Sequence, residues 1–405
     1  MLTAITKTGK KLCLGNNYKK ASLMYFRNKE EFFCPSCGEK VILKLGEKRI
    51  SHFSHLKAHT CKDSFENETE YHLLGKKHLY QWLKRQVSTV EMEYYIKEIR
   101  QRPDMMFEYE GKKYALEYQC SVISPEIVLK RTKSYLNHGY IPIWLLGAIH
   151  FQRKNASAVS LSGFQYLFVR QNHSLNWTLP FYSPDSKSLI QLNALFPYSS
   201  KNALADITVS PLLNTSIGSL IEPSGNSSRI SANDWKRALY TFKMNSIQFH
   251  SSKPILGLNE LYRNHLNPFL LPPEIGIPLT EATHFLTPPL VWQIYLYLDY
   301  LRFIKPGAIV TLEQAVRKIN LRIKLNDIVS RTLPLADYSG SYGVIKQYFE
   351  VLTRMGKLSS VETGIYKLNN VFRVPQNSAE QKVMEDAFYK TYWGIINDSD
   401  CNSNS

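Results

Sequence analysis

The chain has 405 residues, 44% hydrophobic and 21% charged, which excludes a disordered or fibrous protein and sets two or three domains as the expectation. No window approaches about 18 uninterrupted apolar residues, and the Lys-rich first twenty residues hold no apolar stretch, so neither an integral membrane segment nor a signal peptide is expected. Fifty Lys and Arg against 34 Asp and Glu leave a formal charge of +16, a balance that points to a polyanionic partner such as nucleic acid.

The excess is spread over the chain, with no basic tail, so it belongs to folded surfaces. Six cysteines in 405 residues make no disulfide scaffold. Five of them lie before residue 121 and read as reduced thiols or metal ligands.

In chain order, Leu2 to Ile5, Leu12 to Leu14 and Leu23 to Phe26 read as short strands of a small sheet. Phe65 to Val87 carries leucines at helical spacing. Thr89 to Ile99, Met105 to Tyr109 and Tyr114 to Val122 read as three strands, with a hairpin turn at Glu110-Gly111. Ser124-Pro125 opens a second helix that Gly139 ends, and Tyr140 to Ile149 is an apolar strand. Phe164 to Arg170 suggests another strand. Residues 214–232 read as a linker or long loop, and 268–290, with six prolines, as an irregular crossing. The last third is mainly helical, at Val291 to Ile304, Leu312 to Ile319 and Tyr342 to Met355, before a small basic hairpin.

The cysteines and histidines concentrate in one stretch. Cys34-Pro35-Ser36-Cys37-Gly38 has the shape of a zinc knuckle, and His52, His55 and Cys61 follow. A tetrahedral site needs four of these five residues. The expected set is Cys34, Cys37 and Cys61 with either His52 or His55. With all ligands from the protein, such a zinc would be structural. A redox CxxC is the other reading, and the missing βαβ context weighs against it.

Acidic residues form the second cluster. A hairpin closing at Glu110-Gly111 sets residue 104 opposite residue 117. Asp104, after Arg102-Pro103, and Glu117 therefore approach each other at one end of the hairpin. Strand alternation puts Gln119 on the face of Glu117. Two adjacent carboxylates repel unless a cation joins them, and Mg²⁺ or Mn²⁺ suits such hard oxygen donors. On the preceding helix Glu68, His72 and Lys76 form an i, i+4, i+8 stripe, with Glu70 a possible substitute for Glu68. Arg131 and Tyr135, one turn apart on the next helix, can reach a phosphate. Any one of these alone reads more readily as a solvated surface group, and it is their joint pattern that points to function.

Together the residues resemble the PD-(D/E)XK nuclease superfamily and, within it, the competence protein CoiA family. The likeness rests on CPSCG (34–38), KLGEKRISHFSH (44–55), ETEYHLLGK (68–76), RPDMMFEY (102–109), ALEYQCSVIS (115–124) and IPIWLL (141–146). It implies a cytoplasmic protein that promotes genetic transformation by acting on incoming DNA or its recombination. It also implies catalytic roles for Glu68, Asp104, Glu117 and Gln119, with Asp104 and Glu117 binding magnesium. Gln119 stands where the superfamily usually has Lys, so it can orient a water but brings no charge.

The expected fold is α/β in three parts: a zinc-binding β-rich module at 1–63, a restriction-endonuclease-like αβββαβ core at 64–155, and a largely helical region at 156–405 with a winged-helix-like part at 290–370. The expected partner is DNA, single-stranded in form, contacted by His72, Lys76, Arg131 and Tyr135, along with recombination or DNA-uptake proteins. A catalytically inactive nuclease fold serving as a DNA-binding adaptor is the rival reading. A zinc-stabilised interaction protein without a nucleic-acid role is a third.

Overall fold

The computed structural model describes residues 1–46, 49–56, 68–172, 176–223, 230–248, 256–336 and 340–397. The chain divides into two compact units. The first comprises Met1–Phe151, Leu179–Gln191 and Thr208–Ser224, and the second Gln152–Thr178, Leu192–Ile207 and Gly225–Ser405. Among the described residues no helix is long and apolar enough to cross a membrane.

The first unit opens with β1 (Thr3–Thr6), β2 (Lys11–Cys13), α1 (Lys20–Lys29), β3 (Phe32–Phe33), β4 (Lys40–Lys44) and β5 (His52–His55). Its five strands form one sheet in the order β2-β1-β3-β4-β5. The alternation in β4 is plain: Val41 and Leu43 are buried while Lys40, Ile42 and Lys44 face out. The strand expected at Leu23 to Phe26 is instead part of helix α1. Of that helix Leu23 is buried while Met24 and Tyr25 are exposed, the one-sided burial of a surface helix rather than the pleat of a strand.

Next come α2 (Glu70–Leu83), β6 (Val90–Met92), β7 (Met105–Tyr109), β8 (Lys112–Gln119), α3 (Pro125–Asn137) and β9 (Tyr140–Gly147). This is the expected order of helix, three strands, helix and strand. β6, β7 and β8 pair antiparallel and β8 pairs with β9 in parallel. The hairpin closes at Glu110 and Gly111, both with positive φ (49° and 71°). A two-residue turn of that hand matches the strand twist. It fixes the register Met105↔Leu116, so that residue 104 falls opposite residue 117 as the sequence predicts.

The extended run expected at Thr89 to Ile99 is strand only over Val90–Met92. Glu93, with φ 50°, breaks it and turns a carboxylate inward. Successive residues of β8 serve opposite faces. Tyr114, Leu116 and Tyr118 join the core that holds Leu73, Leu79 and Leu83 of α2. Ala115 packs with Tyr135 of α3. α2 also lies unusually close to the sheet: a Cβ on Gly75 would sit 2.1 Å from Cε1 of Tyr118.

The chain then continues through β10 (Gln152–Arg153), β11 (Ala158–Ser160), α4 (Gly163–Tyr166), β12 (Arg170–Gln171), β13 (Trp177–Ser183), β14 (Ser188–Pro197), β15 (Asn202–Pro211) and α5 (Ile217–Ile221). Part of this returns to the first unit. Phe181 and Tyr182 of β13 pair in parallel with Leu146 and Gly147 of β9, an addition that lies beyond the expected boundary at 155. The strand expected over Phe164 to Arg170 begins instead as α4. Ser162 and Gln165 form a reciprocal capping box that satisfies the first free N–H groups of that helix. In the expected loop over 214–232, Ser216 caps α5, and residues 224–229 lie outside the described set.

The second unit holds α6 (Ala232–Gln248), α7 (Leu256–Arg263), α8 (Pro289–Asp299), β16 (Ile309–Thr311), α9 (Leu312–Lys324), α10 (Gly340–Arg354), β17 (Leu358–Glu362), β18 (Ile365–Leu368) and α11 (Ser378–Asn397). α8 is buried along nearly its whole length, and Trp235, Trp292, Tyr295 and Tyr348 anchor the core around it. β16, β18 and β17 form a three-stranded antiparallel sheet. From α8 to β18 the order is helix, strand, helix, helix, strand, strand.

Candidate functional site

The site is built on the first unit, where β7 and β8 meet α2 and α3. A cavity of about 360 Å³ opens there, and Glu68, His72, Asp104, Glu117, Gln119 and Arg131 all line it. Six of the eight residues expected to act on DNA thus share one cavity. The other two, Lys76 and Tyr135, are 1% and 0% exposed. They were expected to touch DNA, but burial seals them from a polymer and their polar atoms face the acids instead.

Lys76 is the hub of one half. Its Nζ lies 2.5 Å from Glu68 Oε1, 2.5 Å from Glu93 Oε1 and 3.0 Å from Asp104 Oδ1. Burial disfavours its charge, yet Asp104, Glu68 and Glu93 outweigh burial and hold its pKa well above the ordinary value. Burial likewise works against ionised Glu68, Glu93 and Asp104, but the Lys76 ammonium keeps all three below their ordinary range. Asp104 is fixed further by the backbone N–H of Tyr118, which donates to Oδ2 at 2.9 Å. His72 Nε2 lies 3.4 Å from the same oxygen. Burial pulls the His72 pKa down, and the Asp104 charge more than offsets it, so the net direction is upward. Glu68, expected on the helix, lies just before its Thr69 cap, and with His72 and Lys76 of α2 it forms an inward-facing charge network rather than a solvated face.

The other half belongs to α3. The guanidinium of Arg131 and the hydroxyl of Tyr135 both donate to Glu117 Oε1. Burial and then Glu117 push the Tyr135 pKa well up, so it remains a neutral donor. Gln119, 4% exposed, donates its amide to the carbonyl of Ser121 at 2.8 Å. Hard oxygen donors for a divalent ion are thus present in one cavity, and both already have cationic or hydrogen-bonding partners within the chain. Among the described residues these carboxylates form no three-residue ligand group.

Sequence reasoning missed four residues here. Glu93 accepts from the backbone N–H groups of Leu2 and Thr3 and from the Thr3 hydroxyl at 2.8–3.0 Å, tying the small sheet to Lys76. Nothing in its local pattern marks it. Arg100, Arg102 and Lys130 line the cavity beside the acids. Their adjacency to Pro103-Asp104 and to Arg131 is the signal that could have found the last two.

A second cluster sits in the small sheet. One ligand atom each from Cys34, Cys37 and His55 lies within 4.8 Å of the others, a set that could hold a metal ion. The turn between the cysteines is tied by the Gly38 N–H to the Cys34 carbonyl at 2.9 Å. β5 decides between the two histidines. Residues three apart on a strand point to opposite faces, so His55 approaches Cys37 at 3.4 Å while His52 Nδ1 sits 3.0 Å from the Ile50 carbonyl. Cys61, the expected fourth ligand, lies outside the described residues.

Three sequence models of one family match successive parts of the chain. The competence protein CoiA N-terminal domain matches residues 15–64, its nuclease-like domain residues 68–225, and its C-terminal domain residues 230–388. A curated relative, "Competence protein CoiA" of Bacillus subtilis (strain 168), is 30% identical over 344 residues, 84% of this chain and 90% of that protein. No solved structure matches significantly. On this breadth of similarity, the chain belongs to the competence protein CoiA family and carries a nuclease-like domain.

Proposed function

We propose that the chain acts in the cytoplasm on DNA entering by transformation, through divalent-metal-dependent hydrolysis of phosphodiester bonds. The observation that carries this reading is the placement of Asp104 and Glu117, each one residue beyond the Met105↔Leu116 pair of one hairpin, on the wall of one cavity. Asp104 and Glu117 would hold Mg²⁺ or Mn²⁺, which when bound polarises the scissile phosphate and lowers the pKa of an attacking water. The chain's own groups do the positioning. Lys76 fixes Asp104 and Glu68 from beneath. Arg131 and Tyr135 fix Glu117. Gln119 orients a water by hydrogen bond. Arg100, Arg102 and Lys130 draw the DNA backbone to the cavity mouth, an attraction that weakens with salt. In the small sheet, zinc held by Cys34, Cys37, His55 and Cys61 would stabilise a module too small for its own core. The helix–strand–helix–helix–strand–strand order over 290–370 supports a winged-helix-like part.

The test is cleavage of end-labelled single- and double-stranded DNA by the full chain with Mg²⁺ or Mn²⁺. Wild type should cut and Asp104→Asn should not, with unchanged circular dichroism. Equal cutting by both rejects the site.

A second reading, a DNA-binding adaptor without catalysis, is favoured by two observations. Gln119, in place of a cationic Lys, turns its amide to the Ser121 carbonyl, and Glu117 is already held by Arg131. Salt-sensitive binding of single strands with no cleavage in either metal selects it.

A further inference from the structure

A separate cavity of about 400 Å³ lies within the second unit, between α6 and α11. The volume falls in the range of small-ligand sites, roughly 300–1,000 Å³. α6 presents Lys236, Tyr240 and Lys243 to it, and α11 presents Gln381, Lys382 and Glu385. Spacings of four and three put Lys236, Tyr240 and Lys243 on one face of α6, and Glu385 lies one turn on from Gln381 and Lys382 along α11.

Two polar groups at this cavity have unmet demands. Lys243 is 7% exposed, and among the described residues its ammonium makes no hydrogen bond or ion pair. The side-chain oxygen of Gln381 is buried with no hydrogen-bond partner. A buried lysine without a hydrogen bond is costly, because its charge has lost water. Burial accordingly pushes the Lys243 pKa below its ordinary value, and Glu385 offsets this only in part. Lys236 is already engaged by Asp386 at 2.7 Å. Lys243 and Lys382 therefore stand ready for an anion. Beside them the rings of Tyr240 and Phe269 lie 6.0 Å apart at 55°, and Tyr240 is 59% exposed. Exposed aromatic faces beside lysines are the surface on which unpaired bases stack.

We infer that this cavity binds a nucleotide, with the phosphate on Lys243 and Lys382, the base against Tyr240 and Phe269, and a base-edge donor on Gln381. The nucleotide is either free or one unit of a single strand. The inference is independent of catalysis at the Asp104–Glu117 cavity.

The test measures binding of dTMP and of a fluorescent oligo(dT) to the full chain and to Lys243→Met and Tyr240→Ala. Lys243→Met should weaken binding roughly tenfold or more, the scale of a lost charge-assisted hydrogen bond. Tyr240→Ala should weaken it several-fold. A Lys243-dependent site for dTMP identifies a free nucleotide, and one seen only with oligo(dT) identifies a strand. Binding unchanged in both Lys243→Met and Tyr240→Ala, or absent from wild type with both probes, overturns the inference.

Discussion

The ammonium of Lys76 lies 3.0 Å from Oδ1 of Asp104, with 1% of the lysine side chain exposed. That lysine also neutralises Glu68 and Glu93, so Lys76→Met would leave three largely buried carboxylates without their shared cation. Breaking a buried ion pair from one side costs about 3–5 kcal/mol. In the wild type these carboxyls titrate below their ordinary 4.5 and 3.8, so their contribution is present above those values and lost as pH falls. Urea denaturation should show a large deficit for Lys76→Met at pH 7 that shrinks toward pH 4. A deficit independent of pH contradicts this account.

His72 titrates in the opposite sense. Its folded pKa is raised from 6.5 by Asp104, which more than offsets its burial. The stabilisation it brings is complete below 6.5 and disappears as pH rises through the folded value. The stability difference between wild type and His72→Gln, measured without added divalent metal, should be largest at pH 6 and smallest near pH 9. A difference that grows with pH rules out the Asp104 pairing.

Gly75 is set by contact rather than by backbone conformation. Alanine there would drive a methyl to 2.1 Å from the Tyr118 ring, whose hydroxyl is tied to the Tyr182 carbonyl at 3.1 Å. Gly75→Ala should cost roughly 1–3 kcal/mol through overpacking, despite the helix propensity gained. Thermal melting checks it. An unchanged or higher melting temperature would show that α2 and β8 can separate.

The two histidines of β5 should separate cleanly in metal content. Purified wild type should carry one zinc per chain by elemental analysis, His52→Ala should keep it, and His55→Ala and Cys37→Ser should lose it. Loss in His52→Ala with retention in His55→Ala would reverse the assignment made from strand alternation.

The hairpin was legible because Glu110-Gly111 admits few turns, and that turn fixes which residues face each other. The second helix was legible from Ser124-Pro125. α1 was not, because Leu23 to Phe26 is too short an apolar run to distinguish strand from helix. Glu93 was hidden because its partners are the backbone of residues 2–3, the Thr3 hydroxyl and Lys76, none of them near it in sequence. The inward turn of His72 and Lys76 could not be read from their spacing, which places residues on one face but not that face against the sheet. The choice of His55 over His52 needed only the strand assignment of 52–55, which the sequence did not make.

The central claim, that Asp104 and Glu117 share a divalent ion, is tested most directly by Mn²⁺ titration followed through the paramagnetic resonance of the free ion, with and without a short oligonucleotide. One site per chain is predicted in wild type, weakened at least tenfold in Asp104→Asn and in Glu117→Gln. Equal Mn²⁺ binding by wild type and both variants, or binding by none of them, contradicts it.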